Sequence, residues 1–283
     1  MPTPAIITDS TCDLSPELAE RYHLTVVPMI VQHGEETYQD GVTVTPDRLF
    51  ELVERTRQLP KTASPSPVTY REAFEAATAG GRHAIYLGIS SRLSAGVQNA
   101  TVAAEGQGRF HVFDTGNLST GIGLLALYAC DLAAAGKSAE EIVAALEQAR
   151  PKIRSSFMID TLDYMHMGGR CTGVQALLGA LLKLRPVISV VDGALAVTAK
   201  VRGARHKALD YMLGCFAQDV QHGLVRPDRV FVTHTGVTED AQYMAGEVRR
   251  IMPEVKAVLQ TRAGAVVSSH CGPGTIGILY MLK

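Results

Sequence analysis

Tryptophan is absent from this 283-residue chain, and aromatic residues make up only 6% of it. Proteins that bind single-stranded nucleic acid stack the bases on aromatic side chains, and few are present here. An excess charge is missing as well, because 27 basic and 28 acidic residues leave a formal net charge of −1. The chain therefore lacks the basic footprint of a nucleic-acid-binding protein, and no nucleic acid partner is expected.

The sequence also has no apolar run approaching the ~18 residues that a membrane-spanning helix requires. Its start, residues 1–13, reaches acidic and polar residues too early for a signal peptide. The five cysteines are scattered, odd in number and without a C-x-x-C pair, so neither a disulfide framework nor a structural zinc site is predicted. These absences predict a cytoplasmic protein with reduced cysteines and no integral membrane segment.

The apolar runs that are present predict an α/β protein with two domains. Over residues 1–150, strand and helix patterns alternate, which predicts a parallel sheet covered on both faces. Over residues 151–283, Asp192-Gly193 separates two apolar runs and predicts a hairpin with a type I′ turn. The second domain is therefore expected to be α+β with a mixed sheet.

Several local features add detail to this outline. Residues 24–31 read as one strand despite Pro28, and a helix is expected to begin at Ser90 or Ser91. Ser138 with Glu141 predicts a capping box at the start of another helix.

Hydroxyl-rich turns follow three predicted strands of the first domain, at residues 8–11, 90–94 and 114–121. Ligands of open α/β sheets bind at the carboxyl ends of strands, and a helix N-terminus there favours an anion. Ser94 in such a first turn suits a bound anion. The plainer alternative is that these serines only cap helices.

Three further segments carry candidate polar groups. Residues 61–67 form a proline-restricted polar loop, which can hold a hydroxyl in place or serve as an exposed connector. His270 lies among serines before a Gly-Pro-Gly turn, between two apolar strands; a lone histidine is otherwise often structural. Gly168-Gly169 allow a sharp turn beside the Arg170 guanidinium, which is suited to a carboxylate or phosphate.

The known catalytic motifs that parts of this sequence resemble are incomplete. Gly136-Lys137-Ser138 resembles the end of a P-loop, but Asp131 stands where the first glycine is required. Ser119 lacks the first glycine of a nucleophile elbow, and no H-E-x-x-H or comparable motif predicts a metal. The sequence predicts a binding protein with no catalytic residue, metal or cofactor of its own.

Five motifs, in order along nearly the whole chain, resemble the DegV family of bacterial fatty-acid-binding proteins. They are Ile7-Thr8-Asp9-Ser10 with Asp13, Lys61-Thr62 with Pro65-Ser66-Pro67, Ile89-Ser90-Ser91 with Leu93-Ser94, Met167-Gly168-Gly169-Arg170, and His270 with Gly272-Pro273-Gly274-Thr275.

The resemblance implies one long-chain fatty acid in an apolar tunnel near the domain junction. Thr62, Ser94, the N–H of Ala95 and His270 would then contact its carboxylate. It also implies that a separate ATP-dependent fatty acid kinase phosphorylates this carboxylate, giving an acyl phosphate for phospholipid synthesis. Arg170 and Arg202 match basic positions near the tunnel mouth, suited to the phosphate or the kinase. The apolar residues 124–132 and 174–182 are candidates for the tunnel wall.

The sequence departs from the family pattern at several positions. Ala95-Gly96 replace Gly-Thr after the serine, which removes a secondary hydroxyl, and Arg185 replaces a lysine before Pro186.

Two alternative functions remain open. One alternative is a carrier or sensor of another amphiphile that works without a kinase. The other is a hydrolase that uses Ser94 and His270, with Asp114 or Asp9 orienting the histidine.

Overall fold

The computed structural model describes residues 3–172 and 184–283. In the first half of the chain, the strands are β1 (Ala5–Asp9), β2 (Thr25–Val27), β3 (Ile30–His33), β4 (Glu36–Gln39), β5 (Lys61–Ala63), β6 (Ala84–Gly88) and β7 (Phe110–Asp114). The helices of this half are α1 (Pro16–Arg21), α2 (Pro46–Thr56), α3 (Pro67–Ala77), α4 (Gly96–Ala104), α5 (Thr120–Ala134) and α6 (Ala139–Ala149).

The second half continues with the same two kinds of element. Its described strands are β8 (Ile153–Met158), β9 (Cys171–Thr172), β10 (Leu184–Val191), β11 (Ala194–Arg202), β12 (Val225–His234), β13 (Val258–Arg262) and β14 (Ile276–Leu282). Its described helices are α7 (Asp163–Gly168), α8 (Arg205–Gln221), α9 (Thr238–Ile251) and α10 (Ala265–Cys271). Among the described residues, no helix is both long and apolar enough to cross a membrane.

The N-terminal sheet has four parallel strands in the order β2-β1-β6-β7. Side chains alternate between its faces: Ile85 and Leu87 enter one apolar cluster and Tyr86 enters another. Helices α3 and α4 pack together on one side of the sheet, while α5 packs with α6 on the other. The predicted parallel sheet with two covered faces is confirmed.

The C-terminal sheet has seven described strands in the order β13-β12-β14-β8-β10-β11-β9. It is mixed, because β13 and β9 pair in parallel with their neighbours while the other pairings are antiparallel. At the β10–β11 turn, Asp192 has φ of 48° and Gly193 of 79°, as a type I′ turn requires. The predicted hairpin and mixed sheet are confirmed.

A third, small antiparallel sheet corrects two predictions. Residues 24–31 do not form one strand: β2 ends at Val27, and β3 begins at Ile30 in the sheet β4-β3-β5. Pro28 has no N–H to donate to a ladder, so the chain changes sheets there. The polar loop at residues 61–67 begins as strand β5, which pairs with β3 and fixes Thr62 opposite Val31.

One prediction of a helix start is also wrong. The helix after β6 begins at Gly96 instead of Ser90 or Ser91, so Ser94 precedes its first turn. His270 lies between two strands as predicted, on the helix α10 that connects β13 to β14. The capping box of Ser138 and Glu141 is confirmed at α6.

Candidate ligand-binding site

A cavity of about 310 Å³ lies between the carboxyl end of the N-terminal sheet and helix α10. This volume is at the lower end of the range for small-molecule pockets, about 300–1,000 Å³. Much of the wall is apolar, and both halves of the chain contribute to it: Met29, Ile89, Leu93, Leu118, Leu195 and Val266. The polar side chains that line the cavity are Thr62, Ser64, Ser94, Arg170 and His270. The cavity thus suits an apolar ligand with one polar end.

Thr62 and His270 form the centre of the polar end. The Thr62 hydroxyl lies 2.8 Å from Nε2 of His270, a hydrogen bond that joins residues 208 positions apart. Strand β5 presents the threonine and α10 presents the histidine. The sheet ladder and the helix each restrain one partner, so the pair is held in place before a ligand arrives.

His270 is held in its neutral form. Burial, with a smaller contribution from the positive charge of Arg170, lowers the pKa of the ring to about 4. A neutral ring can donate from one nitrogen and accept at the other. Its Nδ1 is buried, and no described residue hydrogen bonds to it. A ligand carboxylate nearby would raise this pKa, because an anion favours the protonated imidazole.

The Gly168-Gly169-Arg170 segment positions the histidine ring. A Cβ at Gly168 would lie 2.4 Å from Nδ1 of His270, so no larger residue fits against the ring in this position. Gly169 has φ of 65°, the left-handed conformation that ends α7. Arg170 donates to the carbonyl of Gly168 at 2.6 Å and lies on the cavity wall. The segment therefore supplies both close packing and a positive charge.

Ser94 and Ala95 lie in the loop between β6 and α4. The Ser94 hydroxyl accepts a hydrogen bond of 3.3 Å from the N–H of Gly96, and Ala95 is the N-cap of α4 without a side-chain cap. Both residues line the cavity. The N-terminus of α4, which is the positive end of its dipole, therefore lies at the wall of the same cavity as Thr62 and His270.

The other two serines of this loop have different roles. Ser90 is buried and donates to the carbonyl of Gly193 at 2.7 Å, which ties the loop to the β10–β11 turn. Ser91 is exposed, and its N–H points to the Asp114 carboxylate at 3.3 Å. Neither serine caps a helix, because Ala95 is the N-cap of α4, so the capping interpretation is wrong for both.

Two buried carboxylates that sequence reasoning did not single out as functional hold α10 in place. Asp13 accepts from the N–H of Gly264 at 2.7 Å, and Asp40 accepts from the N–H of Ala265 at 2.6 Å. Burial raises the pKa of both carboxyls, while these hydrogen bonds act in the opposite direction. Carboxylates at the start of a helix satisfy its unpaired N–H groups. Asp13 and Asp40 thereby position His270 through Gly264 and Ala265, which lie six and five residues before it in the chain.

A third buried carboxylate, Asp9, supports the serine loop. It accepts hydrogen bonds from the hydroxyl of Tyr86 at 2.8 Å and from the N–H of Ile89 at 3.2 Å. Burial raises the pKa of Asp9, and its hydrogen bonds offset part of that increase. The sequence offers one indication of the roles of Asp9 and Asp13, which is their place in the first of the five motifs that resemble the DegV family.

The remaining predicted residues lie elsewhere or outside the description. Arg202 is exposed at the end of β11 and does not line the cavity. Residues 124–132 belong to α5 and pack in the core instead of the cavity wall. Residues 174–182 lie outside the described residues.

The geometry required by a serine hydrolase is not found among the described residues. Nε2 of His270 bonds to Thr62 instead of Ser94, and no described carboxylate bonds to its Nδ1. Asp114 accepts from backbone N–H groups of Ser91 and Gly116, and Asp9 bonds as stated above. A nucleophile–base pair oriented by a third group is therefore not assembled.

The chain matches known proteins over its whole length. A family model described as "Uncharacterised protein, DegV family" matches residues 3–283. A DegV domain-containing protein of Deinococcus radiodurans is 35% identical over 275 residues, which are 97% of this chain and 96% of the relative.

Two solved structures share the fold. The first, described as showing fatty acid binding of a DegV family protein from Thermus thermophilus, has a TM-score of 0.92 and 33% identity, covering 99% of this chain and 100% of that one. The second, DegV from Bacillus subtilis, is described as a fatty acid binding protein; it has a TM-score of 0.89 and 28% identity, with full coverage of both chains.

Proposed function

Because the chain belongs to the DegV family, we propose that it binds one long-chain fatty acid and presents its carboxylate to a partner ATP-dependent kinase. The observation that carries the proposal is the largely apolar cavity whose wall also includes Ser94 and the hydrogen-bonded pair Thr62 and His270. The two solved DegV structures, described as fatty-acid-binding, support the choice of ligand.

The energetics of the cavity favour such a ligand. Each methylene removed from water contributes roughly 0.8 kcal/mol, so an alkyl chain in the apolar part supplies most of the affinity. A carboxylate buried without donors would cost several kcal/mol. Here the hydroxyls of Thr62 and Ser94, the N–H of Ala95 and the His270 ring are available to hydrogen bond to it.

The same geometry favours presentation over chemistry by the chain itself. The described residues assemble no oriented nucleophile–base pair, so we assign the catalytic step to the partner kinase. Arg170 lies on the cavity wall with a positive charge and is proposed to meet the phosphate of the acyl phosphate product. Arg202 is proposed as a kinase contact, because it is exposed on the strand that also carries the cavity residue Leu195.

Native mass spectrometry of the freshly purified protein tests the binding function. We expect one fatty acid per chain, and its loss or at least tenfold depletion in the Thr62→Ala/Ser94→Ala double variant. The matched control is Ser91→Ala/Thr101→Ala, which removes two exposed hydroxyls from the same loop and the helix that follows it. A wild-type protein that is purified without a fatty acid and also fails to take up added fatty acids would contradict the proposal.

A second arm tests the kinase step. With a cognate kinase and ATP, the loaded protein should yield acyl phosphate, which hydroxylamine traps as the hydroxamate. The Arg170→Ala variant should keep the fatty acid and give less product. Full fatty acid binding without product for any kinase would favour the carrier or sensor.

A further inference from the structure

Three potential metal ligands meet at the amino-terminal edge of the N-terminal sheet, away from the cavity. Nδ1 of His83 lies 3.0 Å from Nε2 of His111, and one carboxylate oxygen of Glu140 lies 3.9 Å from each of these nitrogens. His83 immediately precedes β6, His111 is the second residue of β7, and Glu140 is the second residue of α6. All three side chains are at least partly accessible to solvent.

The fold places these side chains with little freedom. Parallel pairing of β6 with β7 sets Ala84 opposite Phe110, which brings the two histidines to neighbouring positions. Helix α5 starts just beyond the carboxyl end of β7, and α6 returns along the same face of the sheet. The capping box closed by Glu141 fixes the first turn of α6, and Glu140 lies in that turn.

The distances match those of a metal centre. A triangle with sides of 3.0, 3.9 and 3.9 Å has a circumscribed circle of radius about 2.1 Å, so one point lies at this distance from all three atoms. Zinc binds histidine nitrogen at about 2.0–2.1 Å and carboxylate oxygen at about 2.0–2.2 Å. The triangle is therefore of the right size before any side chain moves.

The contact between the two histidine rings also suits a metal. The 3.0 Å contact between ring nitrogens requires one ring to donate an N–H and the other to accept, so one lone pair is already directed inward. When a metal ion binds, the donor ring carries its proton on its other nitrogen instead, so that both facing nitrogens offer lone pairs and both rings stay neutral.

We propose that His83, His111 and Glu140 bind one divalent transition-metal ion, for which Zn²⁺ is the best-fitting chemistry. Two imidazoles and one carboxylate suit zinc, copper or nickel better than magnesium or calcium, which prefer oxygen ligands. Solvent reaches the site, so water completes the coordination and the ion exchanges with the surroundings. A bound ion would fasten the start of α6 to strands β6 and β7, away from the ligand cavity.

The test is titration of chelator-treated protein with Zn²⁺ by calorimetry and with Co²⁺ by absorption spectroscopy. We expect one ion per chain, at least tenfold weaker binding in His111→Ala and in Glu140→Gln, and an unchanged titration in His222→Ala. His222 is an exposed histidine at the end of α8, and Glu140 is exposed, so neither change threatens the fold. Zn²⁺ should also raise the melting temperature of the wild type and of His222→Ala only.

Three results would overturn the proposal. They are a wild type that takes up no Zn²⁺, His111→Ala and Glu140→Gln variants that bind as tightly as the wild type, and a thiolate charge-transfer band in the Co²⁺ spectrum, which would place the ion at a cysteine. Far-UV circular dichroism of each metal-free variant separates loss of the site from loss of the fold. The fatty acid content measured by native mass spectrometry is a separate readout, and we expect it to be unchanged.

Discussion

At the residue scale, the proposed site depends on a histidine held neutral against a glycine. Gly168 allows the His270 ring to approach the end of α7, and Thr62 satisfies its Nε2. A charged ring in this position would be costly, because it is largely withdrawn from water and near Arg170. A neutral ring can offer its hydrogen bonds to a ligand carboxylate without first losing a proton.

This neutral state gives a pH dependence with a definite sign. The folded pKa of about 4 lies below the ordinary value of about 6.5 for an unfolded histidine. The stability it contributes is present above about pH 6.5 and is lost as the pH falls towards 4. Between pH 7 and pH 5, we expect the ligand-free wild type to lose about 2 kcal/mol more unfolding free energy than His270→Gln loses.

Urea denaturation at the two pH values measures this difference. His222→Gln is the control, since that histidine is exposed, and its loss should equal that of the wild type. If His270→Gln loses as much as the wild type, the ring is not held neutral in the folded protein.

At the scale of elements, α10 connects the two halves of the chain. It has only seven residues, too few for a stable isolated helix, so its position depends on contacts at its ends. Asp13 and Asp40 come from the N-terminal half and bind its first N–H groups, and His270 near its end reaches Thr62 of β5. The helix is thus fixed at both ends by residues far away in sequence.

Replacing Asp40 tests this arrangement. In Asp40→Asn, an amide N–H₂ must face either the N–H of Ala265 or the hydroxyl of Ser10, and one buried donor loses its acceptor. We expect a loss of about 1–3 kcal/mol in unfolding free energy. Fatty acid affinity should also fall several-fold, because α10 carries His270.

Chemical denaturation and a fatty acid binding titration provide the two measurements. The matched control is Asp47→Asn, which breaks a largely exposed ion pair with Arg262 and should cost at most about 1 kcal/mol without changing ligand affinity. Unchanged stability and affinity in Asp40→Asn would show that the Asp40 carboxylate does not hold α10 in place.

At the scale of the whole molecule, the two halves share one hydrophobic core. A single cluster contains Ile6 and Leu125 from the first half together with Phe157 and Leu279 from the second. Helix α5 packs against β1 and β6 of one sheet and against β8, β12 and β14 of the other. The division into domains 1–150 and 151–283 stays a prediction, and the shared core argues that the halves depend on each other.

We therefore expect the chain to unfold in one cooperative transition. Differential scanning calorimetry should give a single peak with equal calorimetric and van't Hoff enthalpies. The Leu125→Ala variant should lose about 2–5 kcal/mol and lower that one peak, because it opens a cavity in the shared core. Two resolved peaks, with only one shifted by Leu125→Ala, would indicate separately folding domains.

Much of the polar lining of the cavity is predictable from the sequence, because the motifs that resemble the DegV family are short and local. Thr62, Ser94, Ala95, Arg170 and His270 were each singled out, and all five line the same cavity. The Asp-Gly hairpin and the capping box at Ser138 were also predictable, since each depends on backbone chemistry within a few residues. In these places local propensity and the final structure agree.

Only the tertiary structure decided the contacts that join distant residues. The position of Ser90 depends on Gly193, and the position of α10 depends on Asp13 and Asp40. Neither contact produces a sequence pattern with a fixed spacing. The meeting of His83, His111 and Glu140 was likewise invisible, because strand pairing and the return of α6 create it. Local backbone preference acts over a few residues, whereas sheet register and helix packing determine which distant side chains meet.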